Sequence, residues 1–272
     1  MNPFSASRRP AGAIVITGAG SGIGAALARC YARPGQSFLL LGRRQASLAQ
    51  VASELRQQGA DVELATVDVR DPEALARIAA DFAKRHGPIA LLIANAGISV
   101  GSSCELAEDC AIFADVIGTN LLGMHYSIAA FLPYLPAQAQ VVGIGSVAGF
   151  RGLPGAAAYA ASKAAVAVYL ESLRLDLRAR RISVTCIAPG FIDTPMTADN
   201  PYPMPWLMDV QRAARKMRRS IDRRRRLVVM PWQMACLSLA LRIMPSFLYE
   251  RLWPQRLASK PRRSDSFSTK KE

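Results

Sequence analysis

Acidic residues are scarce in this chain, with 20 Asp and Glu against 34 Lys and Arg over 272 residues. No uncharged apolar run reaches the ~20 residues that a membrane-spanning helix needs, and the N-terminus, MNPFSASRRPAG, has no apolar segment of signal-peptide length. The expectation is a cytoplasmic chain without an ordinary transmembrane helix. The five cysteines, Cys30, Cys104, Cys110, Cys186 and Cys236, form no CxxC pair, and no histidine stands at metal-ligand spacing from them. A disulfide framework and a metal site are therefore not expected, and the thiols suit a reducing compartment.

The positive charge is unevenly spread. Residues 1–200 hold 17 basic and 15 acidic side chains, whereas residues 201–272 hold 17 and 5. A near-neutral body thus carries a basic C-terminal part, which points to an anionic surface near that end and says nothing of the fold.

Short apolar runs alternate with alanine-rich amphipathic stretches: AIVITG, GIGAALARCYAR, SFLLLG, ASLAQVASELRQQG, VELATVDV, EALARIAADFAKRHG, IALLIANAG, and later QVVGIGS and ISVTCIAPG. Continuously apolar strands between helices predict an α/β fold, a doubly wound parallel sheet (a Rossmann fold of about seven strands) covered on both faces. The expected organisation is a flexible N-terminus over 1–10, a catalytic domain over 11–230 with a lid at 191–222, apolar C-terminal helices over 231–258, and a disordered basic tail over 259–272.

The first strand meets the first helix through Gly18, Gly20, Gly22 and Gly24. Such a turn lets backbone amides and a helix N-terminus approach a pyrophosphate. The second strand ends LLLGRR, with Gly42 where an acid would hold the ribose diol of NAD. Arg43 and Arg44 instead suit a 2′-phosphate, so NADP(H) is expected ahead of NAD(H). Asp68, after the third strand, is placed either to accept from an adenine amino group or to cap a helix.

Tyr159 and Lys163 are four residues apart and share one face of a helix, and Ser146 ends the preceding strand. A phenol titrates near ~10, too high for proton exchange at neutral pH, and an adjacent ammonium and a charged nicotinamide ring would lower it. A tyrosine so placed can protonate a carbonyl oxygen while hydride reaches its carbon.

With these residues in order, the chain resembles the short-chain dehydrogenase/reductase (SDR) family over roughly 11–195: TGAGSGIG, ANAG at 94–97, Asn120 in GTNLLG, Ser146, YAASK at 159–163 and PGFIDTPM. Ala94 departs from the family's NNAG, while Asn95 is kept. The resemblance implies Tyr159 as acid or base, Ser146 as polariser of the carbonyl, Lys163 as depressor of the phenol pKa and holder of the nicotinamide ribose, and Asn120 as helix bender and proton relay. It implies a cofactor site from Gly18, Ser21, Gly22, Ile23, Gly24, Arg43, Arg44, Asp68, Val69, Asn95, Ala96, Gly97, Tyr159, Lys163, Pro189, Gly190, Ile192 and Thr194. A homodimer or homotetramer is implied too. His86 and His125 are read as structural.

The C-terminal part is less uniform. NPYPMPW suits a lid, with Met196, Tyr202, Met204 and Trp206 able to line an apolar pocket. LMDVQRAARKMRRSI has Leu207, Val210, Ala214, Met217 and Ile221 at helical spacing, LVVM at 227–230 reads as a last strand, and Arg223 to Arg226 are expected as a solvated turn before it. Two short apolar helices split at Pro245 follow, similar to the SDR branch whose C-terminal helices contact membranes. The expected activity is NADP(H)-dependent hydride transfer with a hydrophobic ketone or secondary alcohol, the protein lying peripherally on the inner face of a membrane through 231–257. A reductase of polar, sugar-type intermediates and a non-catalytic nucleotide-sensing scaffold remain as alternatives. Nucleic acid is not an expected partner, because the arginines are not interleaved with aromatics.

Overall fold

The computed structural model describes residues 10–102 and 106–252. The expectations for the extreme N-terminus, for Cys104 and for the basic tail lie outside the described residues.

Seven strands, β1 (Ala13–Thr17), β2 (Ser37–Gly42), β3 (Asp61–Thr66), β4 (Ile89–Ala94), β5 (Gln140–Ile144), β6 (Ser183–Pro189) and β7 (Leu227–Met230), form one parallel sheet in the order β3-β2-β1-β4-β5-β6-β7. Val15 pairs with Leu39 on one side and with Leu92 on the other. Alternate residues of each strand feed two cores, as the pleat requires. Ile14, Ile16, Phe38 and Leu40 pack under α1 (Gly22–Tyr31), α2 (Gln45–Gln57) and α7 (Val210–Asp222). Val15, Leu39 and Leu41 pack with Phe82 of α3 (Pro72–His86), Phe131 of α5 (Gly123–Phe131) and Leu170 of α6 (Ala157–Asp176). Each such phenylalanine, fully buried, contributes ~1.5–3 kcal/mol of apolar burial.

The turns entering the strands follow a rule. A residue with positive φ stands two positions before β2, β3, β4, β5 and β6: Gly35, Gly59, Gly87, Gln138 and Arg181. The helices before them are conventionally ended; α3, for instance, starts with the Asp71 carboxylate accepting from Ala74 N–H at 2.9 Å and Pro72 in its first turn, and finishes on Lys84, Arg85 and His86. His86 stacks on Phe82 and hydrogen-bonds Glu63 at 2.6 Å, a structural role.

α4 (Cys110–Ile117) runs into α5 through a π-helical turn at Gly118–Leu122, so the helix bends at Asn120. After β7 come α8 (Trp232–Ile243), which packs against β7 and the 147–149 turn, and α9 (Ser246–Arg251). Met234 of α8 is buried, and a Cβ on Gly190, just past β6, would meet its Cγ at 2.8 Å. Among the described residues no helix is long and apolar enough to cross a membrane.

Two expectations need correction. Arg224 is not solvated like Arg223, Arg225 and Arg226: it is 4% exposed and donates to Ser183 Oγ at 3.0 Å and to the Gln138 carbonyl at 2.7 Å, tying β7 to the turns before β5 and β6. Leu207 is exposed and precedes α7, which starts only after the Asp209 carboxylate caps Arg212 N–H at 2.7 Å. A residue ahead of the cap is outside the helical period, so Leu207 does not join the buried row of Ala214, Met217 and Ile221.

Candidate active site

The sheet reverses its winding between β1 and β4, and the crevice there opens beyond the ends of the strands. Thr17 Oγ1 accepts from the amides of Asn95 and Ala96, both at 3.0 Å, while Asn95 Nδ2 donates to the carbonyls of Thr17 at 3.0 Å and Gly18 at 3.1 Å. Asn95 therefore laces the glycine turn to the end of β4. Ala94, the departure from the family pattern, is a buried strand residue.

The glycine turn makes a cradle that side chains would fill. A Cβ on Gly24 would stand 2.4 Å from Gly18 O, and Gly22 adopts φ +54° against the Thr194 methyl. Ser21 precedes α1 without a side-chain capping bond, so the first-turn amides of α1 face an anion directly. Ile23 packs on the core behind them. Arg44 reaches Ser21 Oγ at 3.5 Å, and Arg43 is close enough to influence Asp68 electrostatically. Gly42, at the end of β2, brings no acid to this corner.

Asp68 is already engaged. Burial works to raise its carboxyl, but Arg70, donating its backbone amide at 3.0 Å and its guanidinium at 2.8 Å, holds it below the ordinary range. Arg70 also bonds Asp115 at 2.8 Å. Of the two readings of Asp68, the helix cap goes to Asp71, while Asp68 carries the Arg70 fork. Val69 beside it is buried against Gly123.

Ser146, Tyr159, Lys163 and Asn120 converge from three elements. Ser146 Oγ accepts from Ala148 N–H at 3.1 Å, which leaves the hydroxyl proton for donation, and Gly149 presses so closely on α6 that a Cβ there would meet the Lys163 carbonyl carbon at 2.6 Å. Lys163 is buried and donates to the Ile144 carbonyl at 2.9 Å, with its Nζ 5.7 Å from the Tyr159 ring centre. Loss of water pulls the Lys163 ammonium down to about 8. Burial likewise pushes the Tyr159 phenol up, partly offset by hydrogen bonding with Ser146. Lys163 Nζ is turned toward the Ile144 carbonyl, so the group acting to lower the phenol in the chain alone is Ser146.

Asn120 is fully buried, with Oδ1 accepting from Ile98 N–H at 2.8 Å and Nδ2 donating to Ile98 O and Ser162 Oγ, both at 3.0 Å. Ser162 Oγ in turn donates to Tyr159 O at 2.7 Å. Gly97 leaves room between Asn120 and Lys163 Nζ, which a Cβ there would approach to 3.6 Å. Ser162 escaped the sequence reading, although its place inside YAASK was a signal.

Beyond β6, Gly190 N–H donates to Met230 O at 2.7 Å, and buried Ile192 bridges to Met208. Thr197, also missed, accepts from Thr194 N–H at 3.1 Å and donates to Ile192 O at 2.6 Å, fixing Thr194 beside Gly22. In the lid, Tyr202 tilts onto Phe191 and is the neighbour that acts on the Tyr159 phenol, whereas Met196 and Trp206 are 40% and 47% exposed. Of the four side chains expected to line the pocket, Tyr202 and Met204 are the half-buried ones. A separate cavity of about 800 Å³ lies between the 148–154 segment, the alanine face of α6 and Tyr249, and neither Ser146 nor Tyr159 is in its wall. His125 bonds Tyr169 at 3.0 Å, away from these groups.

The family described as short chain dehydrogenase matches residues 12–203. An uncharacterised oxidoreductase of Myxococcus xanthus is 38% identical over 239 residues, 87% of this chain and 94% of the relative. Sulfoacetaldehyde reductase 2 of Chromohalobacter salexigens is 37% identical over 68% of this chain and 74% of its own length. Among solved structures, a short chain dehydrogenase/reductase of Burkholderia phymatum in complex with NAD superposes with a TM-score of 0.77 at 24% identity, covering 93% of this chain and 99% of that one. An alcohol dehydrogenase of Thermococcus sibiricus complexed with 5-hydroxy-NADP does so at 0.72 and 27%, covering 80% and 94%.

Proposed function

We propose that this chain, which belongs to the short-chain dehydrogenase family and is a dehydrogenase or reductase of alcohol and carbonyl groups, works with NADP(H) on a hydrophobic ketone or secondary alcohol. The observation that carries the reading is the convergence of Ser146, Tyr159, Lys163 and Asn120 beside the glycine cradle.

Gly18, Ser21, Gly22, Ile23 and Gly24 receive the pyrophosphate, Arg43 and Arg44 the 2′-phosphate, Asp68 and Val69 flank the adenine side, and Asn95, Ala96, Gly97, Pro189, Gly190, Ile192 and Thr194 shape the nicotinamide end. When bound, the nicotinamide would supply or take up the hydride, and the charge of its oxidised ring would add to that of Lys163, 5.7 Å from the Tyr159 ring centre, in favouring the phenolate. Ser146 turns its hydroxyl proton from Tyr159 to the carbonyl oxygen when substrate is present, favouring the developing negative charge. Tyr159 delivers the proton to that oxygen in reduction and removes it in oxidation. Lys163, at about 8, exchanges a proton within the physiological range, and Asn120 holds the Ile98 segment beside it.

NADP(H) is preferred on the guanidinium pair and the missing acid at Gly42, since the solved neighbours hold NAD in one case and 5-hydroxy-NADP in the other. The reading includes a homo-oligomer and peripheral contact with an anionic lipid surface, supported by exposed Trp232, Leu239, Ile243, Phe247 and Leu252 and by the basic C-terminal part. The sulfoacetaldehyde reductase relative favours a small polar aldehyde as a second reading.

The test is NADPH and NADH oxidation by wild-type and Tyr159→Phe protein against panels of apolar ketones and polar aldehydes. NADPH-selective turnover of apolar ketones that Tyr159→Phe abolishes supports the first reading; turnover confined to polar aldehydes selects the second. Equal activity in Tyr159→Phe overturns the mechanism.

A further inference from the structure

Arg151 sits five residues after Ser146, in the glycine-rich segment GFRGLPG between β5 and α6. Its Nη1 donates to three carbonyls at the end of α8: Leu241 at 3.2 Å, Arg242 at 3.3 Å and Met244 at 3.1 Å. Its other terminal nitrogen reaches Ser246 Oγ at 3.5 Å, and the guanidinium lies 4.5 Å over the ring of Tyr249 in α9. The Tyr249 hydroxyl closes the circuit by donating to the Gly152 carbonyl. A cation at a helix C-terminus answers both the orphan carbonyls and the negative end of the helix dipole, and an arginine fork satisfies several carbonyls where a lysine is a point charge.

This brace joins two things that a substrate meets. The segment it starts from holds Ser146 at one end and is pinned at Gly149 against the backbone of Lys163. The helix pair it ends on packs on Gly190, just past β6, through Met234, and borders the cavity beside the Ser146 segment through Tyr249. Beyond the Gly149 contact, glycines at 152 and 155 give the segment little stiffness of its own, so the Arg151 and Tyr249 bonds to α8 and α9 add a second hold on it.

We propose that Arg151 is a positioning residue for specificity: it locks the α8–α9 pair to the Ser146 segment and thereby makes that pair the wall against which the bulky apolar part of a carbonyl substrate is held. The inference rests on the carbonyl reading above. Arg151 touches no reacting atom; it acts through the wall.

The experiment compares wild type with Arg151→Ala and Tyr249→Phe, and with Arg242→Ala, an exposed arginine of α8, as a control for loss of charge. Kinetics with NADPH are read on diacetyl, a small carbonyl, and on decalone, a bulky one, alongside hydrogen exchange of the backbone. Arg151→Ala is expected to lower the decalone-to-diacetyl ratio of kcat/KM by about tenfold, chiefly through KM, the scale on which apolar pockets discriminate. Tyr249→Phe shifts it less in the same direction, and Arg242→Ala leaves it unchanged. Amides of 147–155 and 246–252 exchange faster together in Arg151→Ala. An equal loss on both substrates, an unchanged ratio, or faster exchange in 246–252 alone overturns the proposal. A wild-type protein that binds NADPH but reduces neither carbonyl removes the carbonyl reading instead, while joint or separate exchange still decides whether the brace exists.

Discussion

The Lys163 ammonium donates to the carbonyl oxygen of Ile144 at 2.9 Å, two residues before Ser146. One hydrogen bond thus fastens the helix that carries Tyr159 to the strand that delivers the serine, and the backbone contact of Gly149 with Lys163 fastens them again.

That buried ammonium makes stability pH-dependent. The folded chain holds Lys163 at about 8, below the ~10.4 of an unfolded lysine. Below pH ~8 both states are protonated and the full cost of burying the charge is present; between ~8 and ~10.4 the unfolded state binds more protons, so stability rises with pH. Lys163→Met lacks this dependence. Its advantage in unfolding free energy over wild type is expected to shrink by ~3 kcal/mol from pH 7 to 10.5, read by urea denaturation at each pH.

Tyr159→Phe removes the proton donor and nothing that contacts the glycine cradle. Turnover is expected to fall by ~10²–10⁴-fold, while NADPH affinity, followed by quenching of tryptophan fluorescence, stays within about threefold. Ser146→Ala should also lose turnover with NADPH affinity kept.

Arg44→Glu places a carboxylate beside Ser21. A charge-assisted contact contributes ~1.5–3 kcal/mol, so NADPH affinity is expected to fall by roughly 10–100-fold while NADH affinity holds or improves. Titration with both nucleotides at fixed ionic strength checks this, and equal losses for the two would place Arg44 outside the discriminating corner.

Arg224→Ala removes the buried guanidinium that bonds Ser183 Oγ at 3.0 Å and the Gln138 carbonyl at 2.7 Å. A loss of ~2–4 kcal/mol is expected. The same change at exposed Arg225 should cost under ~0.5 kcal/mol. Thermal unfolding of the two variants side by side makes the comparison.

Much of this could be read from local pattern. LVVM is β7 residue for residue, and Pro245 does divide α8 from α9. Tyr159 and Lys163 announced themselves by a spacing that a helix turns into one face. What stayed hidden depends on partners far away in the chain. Arg224 reads like the three arginines beside it until Gln138, 86 residues earlier, is brought to meet it. Arg151 meets the end of α8 across 93 residues, and no periodicity encodes that. The direction of the Lys163 ammonium was hidden for a related reason: residue type places it beside the phenol, whereas the Ile144 carbonyl toward which it turns is set only by packing.

The repeated positive-φ turns before β2 to β6 divide the molecule by purpose. They lie at the end of the sheet away from Ser146, Gly18 and the lid, and they are built alike because they do one mechanical thing: reverse a helix into a strand. That end is therefore the one at which attachment is expected to disturb the site least. Fixing the protein to a solid support through the exposed Arg181 side chain leaves the irregular loops at the opposite end free to face solute or lipid.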